Sequence, residues 1–298
     1  MTPARIVTSA DGEPVALHDF GGDGPPLLMG HGNGLNAGMW AAVVPHLQER
    51  FRCWGIDLRG HGATRPASHD HPATPGYSVE RDRFAEDLFA SVEAVGGGPV
   101  CYAGHSLGGA SVVYAALRRQ ELFRGLWLFE PVVVPTTFGE RPLPSFLIEA
   151  SRRRRADFDS VDDAVARLSS KPPFSACDPV AVRAYLEIGT YPTETGVRLS
   201  CHPEDEARVF GSGELVDFSR LAAITVPSVV VAGGEAADAH AVPAQVAPLI
   251  AEALGNARFE LHPTLSHFGP MEDGAAIAAS ILAHFEPLLE APPPRIGP

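Results

Sequence analysis

The apolar positions of this chain fall into short continuous runs separated by stretches with helical spacing. Residues 27–30 (Leu-Leu-Met-Gly), 51–57, 99–103 and 126–129 are runs of strand length. Between them, 77–95 carries Phe84, Leu88, Val92 and Val95 on one helical face, 110–119 is helix-like, and 41–50 reads as a helix that Pro45 kinks. Strands with no polar face that alternate with helices pair in parallel, and each crossover helix covers the sheet. The start differs: Ile6 and Val7 face Val15, Ala16 and Leu17 across Asp11-Gly12-Glu13-Pro14, the pattern of a hairpin. From 132 to about 221 turn and charge signals rise, and the periodicity is helical wherever it can be read. Strand and helix then alternate again through 227–232, 243–254, 258–261 and a last apolar helix at 275–288. The expected organisation is one α/β core made of residues 1–131 and 222–290, an inserted helical cap at 132–221, and a Pro-rich tail at 291–298.

Chemistry gathers at the ends of the apolar runs. Gly104-His105-Ser106-Leu107-Gly108-Gly109 joins the run 99–103 to the helix 110–119. Its G-x-S-x-G spacing is that of a nucleophile elbow, a strand-to-helix turn that forces serine to positive φ and needs small neighbours against crowding. A serine hydroxyl is a poor nucleophile at neutral pH, so such a site also requires a base, an acid to orient the base, and donors for an oxyanion. The run 27–30 ends in His31-Gly32-Asn33-Gly34, a glycine-rich turn that exposes main-chain N–H groups suited to an oxyanion. Parallel pairing puts Asn33, Ser106 and Glu130 at one carboxyl edge of the sheet, where ligands bind in open α/β folds. His267 follows the run 258–261 and reaches the same edge. Two carboxylates are candidates for the acid, Asp238 in the loop after 227–232 and Glu130 after 126–129.

Charge and composition narrow the partners. Lys and Arg number 23 against 36 Asp and Glu, a formal charge of -13, and no basic face is visible, so neither nucleic acid nor an anionic membrane is expected. Cys53, Cys101, Cys177 and Cys201 form no C-x-x-C pair, and the first two sit in apolar runs, as expected of a reducing, cytoplasmic setting. Residues 1–14 lack a basic start with an apolar core, and no apolar run approaches the roughly 20 residues of a membrane span. His61, His69, Asp70 and His71 lie in a loop without metal-ligand spacing, so no metal is expected. Arg152-Arg153-Arg154-Arg155 is the densest charge run. It reads as a solvated helix face, from which one arginine could meet a carboxylate on a substrate.

Taken together, His31-Gly32 with Trp40 downstream, Asp57-Leu58-Arg59-Gly60-His61-Gly62, the elbow, the Asp238 loop and Ser266-His267-Phe268 resemble the alpha/beta-hydrolase superfamily from Leu27 to Leu288. The resemblance implies a three-layer fold with a mostly parallel central sheet and an inserted cap. It also implies roles: Ser106 as nucleophile, His267 as base, Asp238 or alternatively Glu130 as acid, and the N–H groups of Asn33 and Leu107 as oxyanion hole. Trp40, His105, Phe138 and Phe146 are the expected pocket residues, with Phe158, Phe174 and Tyr185 as further aromatic candidates. The implied activity is cofactor-independent hydrolysis of a small-molecule ester, lactone, thioester or activated C–C bond through an acyl-enzyme. The alternatives are a ligand-binding protein on the same fold and a perhydrolase-type activity.

Overall fold

The computed structural model describes residues 3–64, 78–138, 145–212, 215–234 and 242–290. The chain begins with β1 (Arg5–Thr8), β2 (Pro14–Gly21), β3 (Pro26–Gly30) and β4 (Arg52–Asp57). It continues through α1 (Arg81–Ala94), β5 (Val100–His105), α2 (Leu107–Arg119) and β6 (Phe123–Phe129). The insertion holds β7 (Val134–Pro135), α3 (Ser145–Arg153), β8 (Asp157–Phe158), α4 (Val161–Ser169), α5 (Pro179–Ile188), β9 (Thr190–Thr193), β10 (Gly196–Leu199), α6 (Pro203–Gly211) and β11 (Leu215–Val216). Then come β12 (Ser228–Gly233), α7 (Val242–Ala253), β13 (Ala257–His262), α8 (Gly269–Glu272) and α9 (Gly274–Glu290).

Eight strands form one sheet in the order β1-β2-β4-β3-β5-β6-β12-β13. The β1–β2 and β2–β4 pairs are antiparallel, as the opening hairpin pattern predicts. Every later pair is parallel. The continuous apolar runs have a direct cause, since alternate residues serve two different cores. Leu28, Tyr102, Leu126, Leu128 and Val230 meet α1, α2 and α7 through Phe84, Leu88, Val113 and Ile250. Their neighbours Leu27, Met29, Trp127, Phe129 and Val231 belong to the opposite face with Ile277, Ile281 and Phe285 of α9. Each such large side chain, once buried, contributes about 1.5–3 kcal/mol before entropy is charged against it. Among the described residues no helix is long and apolar enough to cross a membrane. All four cysteines are free and buried.

Two local expectations are corrected. No α-helix spans 41–50; the segment holds one short 3₁₀ turn, Val44–His46, and another, Ala37–Trp40, precedes it. Pro45 lacks the N–H that an α-helix would use and restricts the residue before it, so the chain turns tightly instead. Within the insertion, a three-stranded sheet (β8-β10-β9) and the β7–β11 pair accompany the helices. Strands of two to four residues are too short to leave a periodic signature. The insertion docks on the first 3₁₀ turn, where the Asn36 side chain donates to Tyr185 O at 2.8 Å.

The segment after β4 is organised by a buried carboxylate. Asp57 accepts from His18 Nε2 at 2.8 Å, Ala37 N at 2.8 Å and Ala63 N at 2.7 Å. Gly62 has φ +53°, and a Cβ there would collide with that carboxylate. Gly62→Ala is expected to lower stability by at least about 2 kcal/mol. Urea unfolding checks this: the midpoint should fall at an unchanged m-value.

Candidate active site

The serine turn is built by backbones in contact. A Cβ on Gly104 would stand 2.8 Å from the Gly109 backbone, and one on Gly108 would collide with Gly30. Only glycine lets β5 and α2 fold back at this separation and lets α2 rest on β3. Ser106 between them has φ 52° and ψ -109°. Hydrogen bonds hold it there on three sides: its N–H donates to Phe129 O at 3.0 Å, and its carbonyl accepts from Ala110 N at 2.9 Å and Val132 N at 3.2 Å. A non-glycine residue at positive φ costs on the order of 1–3 kcal/mol and persists only under such constraint.

Among the described residues, Glu130 is the other non-glycine residue at positive φ, at 44°. It directly follows β6, the strand next to β5, and is 1 % exposed. Its Oε1 accepts from Gly233 N at 2.8 Å, and its Oε2 lies 2.5 Å from His267 Nδ1. A carboxylate there makes Nδ1 the protonated nitrogen and leaves Nε2 with a lone pair. The His267 loop is tied down twice more. Glu272 accepts from Ser266 N at 2.8 Å and from the Ser266 hydroxyl, and the His267 carbonyl accepts from His105 Nε2 at 2.8 Å. Glu130, the alternative acid of the sequence reading, is thus bonded to the histidine, while Asp238 lies outside the described residues, as do His69, Asp70 and His71.

Asn33 and Leu107 flank the serine. Leu107 opens α2, so its N–H has no acceptor within the helix. The turn at Asn33 is braced by two buried imidazoles. His31 Nδ1 donates to Gly32 O at 2.8 Å and its Nε2 accepts from Leu58 N at 3.0 Å. His61 Nδ1 donates to Arg59 O at 2.9 Å and its Nε2 accepts from Gly34 N at 3.0 Å. Each ring ties the loop after β3 to the loop after β4. Burial lowers the pKa of His31, and it pushes that of His61 down to about 3. Both rings are therefore neutral, the form in which one nitrogen donates and the other accepts.

Ser106 and His267 open onto one cavity of about 540 Å³. Asn33, Leu107, His105, Glu130 and Phe268 also line it, together with Leu147, Ala150, Ser151 and Arg154 from the α3 region and Glu206, Val209 and Phe210 from α6. His105 is thus on the wall, as expected; burial holds its imidazole far below the usual range, so it is neutral. Trp40 is not on the wall. It is fully buried and packs edge-on against Trp127, 6.4 Å between ring centroids. Phe146 is 47 % exposed and is likewise absent from the wall. The inward stripe of α3 runs one residue later, through 147, 150, 151 and 154, the i, i+3, i+4, i+7 series that the sequence could have offered. The side chain of Phe138 lies outside the described residues. Phe174 stacks on Tyr185 at 5.5 Å behind the wall, and Phe158 is buried in the core.

A parallel sheet whose middle strand ends in a constrained serine, with a carboxylate-bound histidine on a later loop at the same edge, defines the hydrolase class of α/β folds. The family model described as alpha/beta hydrolase fold matches residues 25–176, and the chain belongs to that family. A 2-(acetamidomethylene)succinate hydrolase of Mesorhizobium japonicum is 28% identical over 177 residues, 59% of each chain, so the match spans less than two thirds of that relative. A non-heme haloperoxidase of Rhodococcus erythropolis is 26% identical over 288 residues, 94% of this chain and 99% of its own. A solved structure of E-2-(acetamidomethylene)succinate hydrolase superposes with a TM-score of 0.72 at 19% identity, covering 95% of this chain and 100% of that one. At that identity the likeness is one of fold.

The buried imidazoles set a pH dependence. Burial also lowers His284, to about 4. For each of these rings the folded value is below the unfolded value of about 6.5, so the unfolded chain binds more protons between the two. Stability is complete above about pH 6.5 and drains as pH falls, for His61 and His284 by up to about 1.4 kcal/mol per pH unit toward their folded values of about 3 and about 4. The urea midpoint should drop between pH 7 and pH 5, and His61→Gln should flatten the slope. An unchanged midpoint would contradict the neutral braces.

Proposed function

We propose that the protein is a cofactor-independent serine hydrolase acting on a small ester, lactone or thioester. The observation that carries this reading is the Glu130–His267 bond at 2.5 Å on a cavity that also exposes a constrained Ser106. In the proposed cycle, the Ser106 hydroxyl oxygen bonds to the acyl carbon while its proton passes to His267 Nε2. The tetrahedral oxyanion is received by the N–H groups of Leu107 and Asn33. The bond to the leaving group then breaks, and that group takes the proton from His267. Water next attacks the acyl-enzyme, giving a proton to Nε2; the acid departs and Ser106 recovers its proton. Glu130 keeps the imidazole in the Nδ1-protonated tautomer and stabilises the imidazolium when it forms. A second reading draws support from the haloperoxidase that aligns along the whole chain. Hydrogen peroxide in place of water would release a peracid from the same acyl-enzyme.

The test is pre-steady-state hydrolysis of p-nitrophenyl acetate and butyrate. Wild type should show a burst of p-nitrophenol equal to one site, and Ser106→Ala should show none. Glu130→Gln, which removes the acceptor that selects the tautomer, should lower kcat by up to about 10⁴-fold. Asp238→Asn should retain most activity. A wild type that never acylates would point to a ligand-binding role, and a fully active Glu130→Gln would move the acid elsewhere. Peracid formed from acetate and peroxide would support the second reading.

A further inference from the structure

The four arginines that follow one another after Ser151 do not share a fate. Arg152 pairs with Glu204 at 2.8 Å, Arg153 with Glu149 at 2.8 Å, and Arg155 donates to Asp157 O at 2.6 Å, all on the outer surface. Arg154, one residue past the end of α3, lines the cavity that holds Ser106 and His267 as well as an outer depression beside Arg152 and Arg155. Its Nη2 donates to Cys201 O at 3.1 Å and lies 2.8 Å from Glu206 Oε2. Its Nε is buried and has no acceptor among the described residues. Leu147, Val209 and Phe210 give the same cavity apolar wall.

A guanidinium offers five N–H donors in a planar fork and never loses its charge. Left incompletely bonded on an apolar wall, it is a costly group whose natural complement is a planar anion. Its position is also fixed relative to the serine. Glu206 O accepts from Asn33 Nδ2 at 3.0 Å, and the Glu206 carboxylate fills the space over Gly34, where a Cβ would come within 2.7 Å of Oε1. Tyr185 donates its hydroxyl to Gly34 O at 3.1 Å. The same turn that carries the Asn33 N–H therefore carries the support of the guanidinium.

We infer that Arg154 binds a carboxylate of the substrate, so that the acyl compounds taken by this site are anionic: half-esters, half-thioesters or related monoacyl derivatives of short dicarboxylic acids. The acyl part of this statement rests on the serine-hydrolase reading above; the binding of a carboxylate does not. Glu206 competes for the guanidinium, so removing its charge should strengthen the hold on an anion, whereas a purely structural ion pair would give no such gain.

Two arms test this. In the first, calorimetry on Ser106→Ala uses succinate, glutarate and adipate, with glutaramide as the neutral control. At least one diacid should bind and glutaramide should not; adding Arg154→Gln should weaken binding about ten- to a hundredfold, and Glu206→Gln should tighten it. In the second, mono-p-nitrophenyl glutarate is compared with p-nitrophenyl pentanoate. Arg154→Gln should lower kcat/KM about ten- to a hundredfold on the charged ester and less than about threefold on the neutral one. Equal binding of diacids and diamide, a Glu206→Gln variant that loses diacid binding, or equal losses on both esters would overturn the proposal. If Arg154→Gln does not fold, the diacid-against-diamide comparison and Glu206→Gln still decide it. Should wild type acylate with neither ester, the hydrolase reading falls, while the calorimetric arm still decides whether the carboxylate site exists.

Discussion

The site depends on a contact between backbones. β3, β5 and α2 come together so closely that Gly30, Gly104, Gly108 and Gly109 leave no room for a Cβ, and the chain can reverse from strand to helix within one residue. Ser106 is that residue, and its positive φ is the result of the approach. Its backbone is therefore fixed by the sheet itself. An alanine at Gly108 would have to push α2 away from β3, and the Leu107 N–H would move with it.

Around this turn, the carboxyl edge of the sheet carries buried polar groups bonded to backbone and to one another. Asp57 gathers the N–H groups of Ala37 and Ala63, while His31 and His61 stitch the loops after β3 and β4 to one another. Arg59 is fully buried and makes a forked pair with Asp87 and another with Asp11. Loops normally lie on the surface because their backbone groups need partners. Here side chains supply those partners, and the Asn33 turn is consequently held as firmly as a strand. Stability and site geometry share the same bonds in this region.

Much of this was legible in the sequence, and the limits have physical causes. The parallel sheet followed from apolar runs without a polar face, because both faces are buried. The elbow, the Asn33 turn and His267 each followed a run and so had to lie at one edge. Tertiary packing decided what periodicity could not. Trp40 stands just past the oxyanion turn in sequence, yet Trp127 and the core beneath claim its ring. Phe146 and Leu147 are both apolar and adjacent, and only the seating of α3 on α6 determines which faces inward. The choice between Glu130 and Asp238 could not be made from chain order, since both follow a strand at the correct edge. What chain order could not offer is the contact that Glu130 makes: Gly233 N donates to its Oε1, and its other oxygen lies against His267 Nδ1.

The placement of Glu130 has a mechanical consequence. His105 pairs in register with Phe129, so Ser106 and Glu130 are each one residue beyond the same rung of the ladder. Both are at positive φ, and Val132 N donates to the Ser106 carbonyl, so serine and carboxylate belong to one hydrogen-bonded unit. His267 is the member that comes from a distant element. It is tethered to that unit through Glu130 Oε2, to the residue before the serine through His105, and to α8 through the bonds of Ser266 with Glu272. Only the imidazole comes from a distant element, to a serine and a carboxylate already aligned with each other by the sheet. A carboxylate beyond β12 would have to be aligned with the serine separately. One directly after β6 inherits its alignment from the strand beside the one that Ser106 follows.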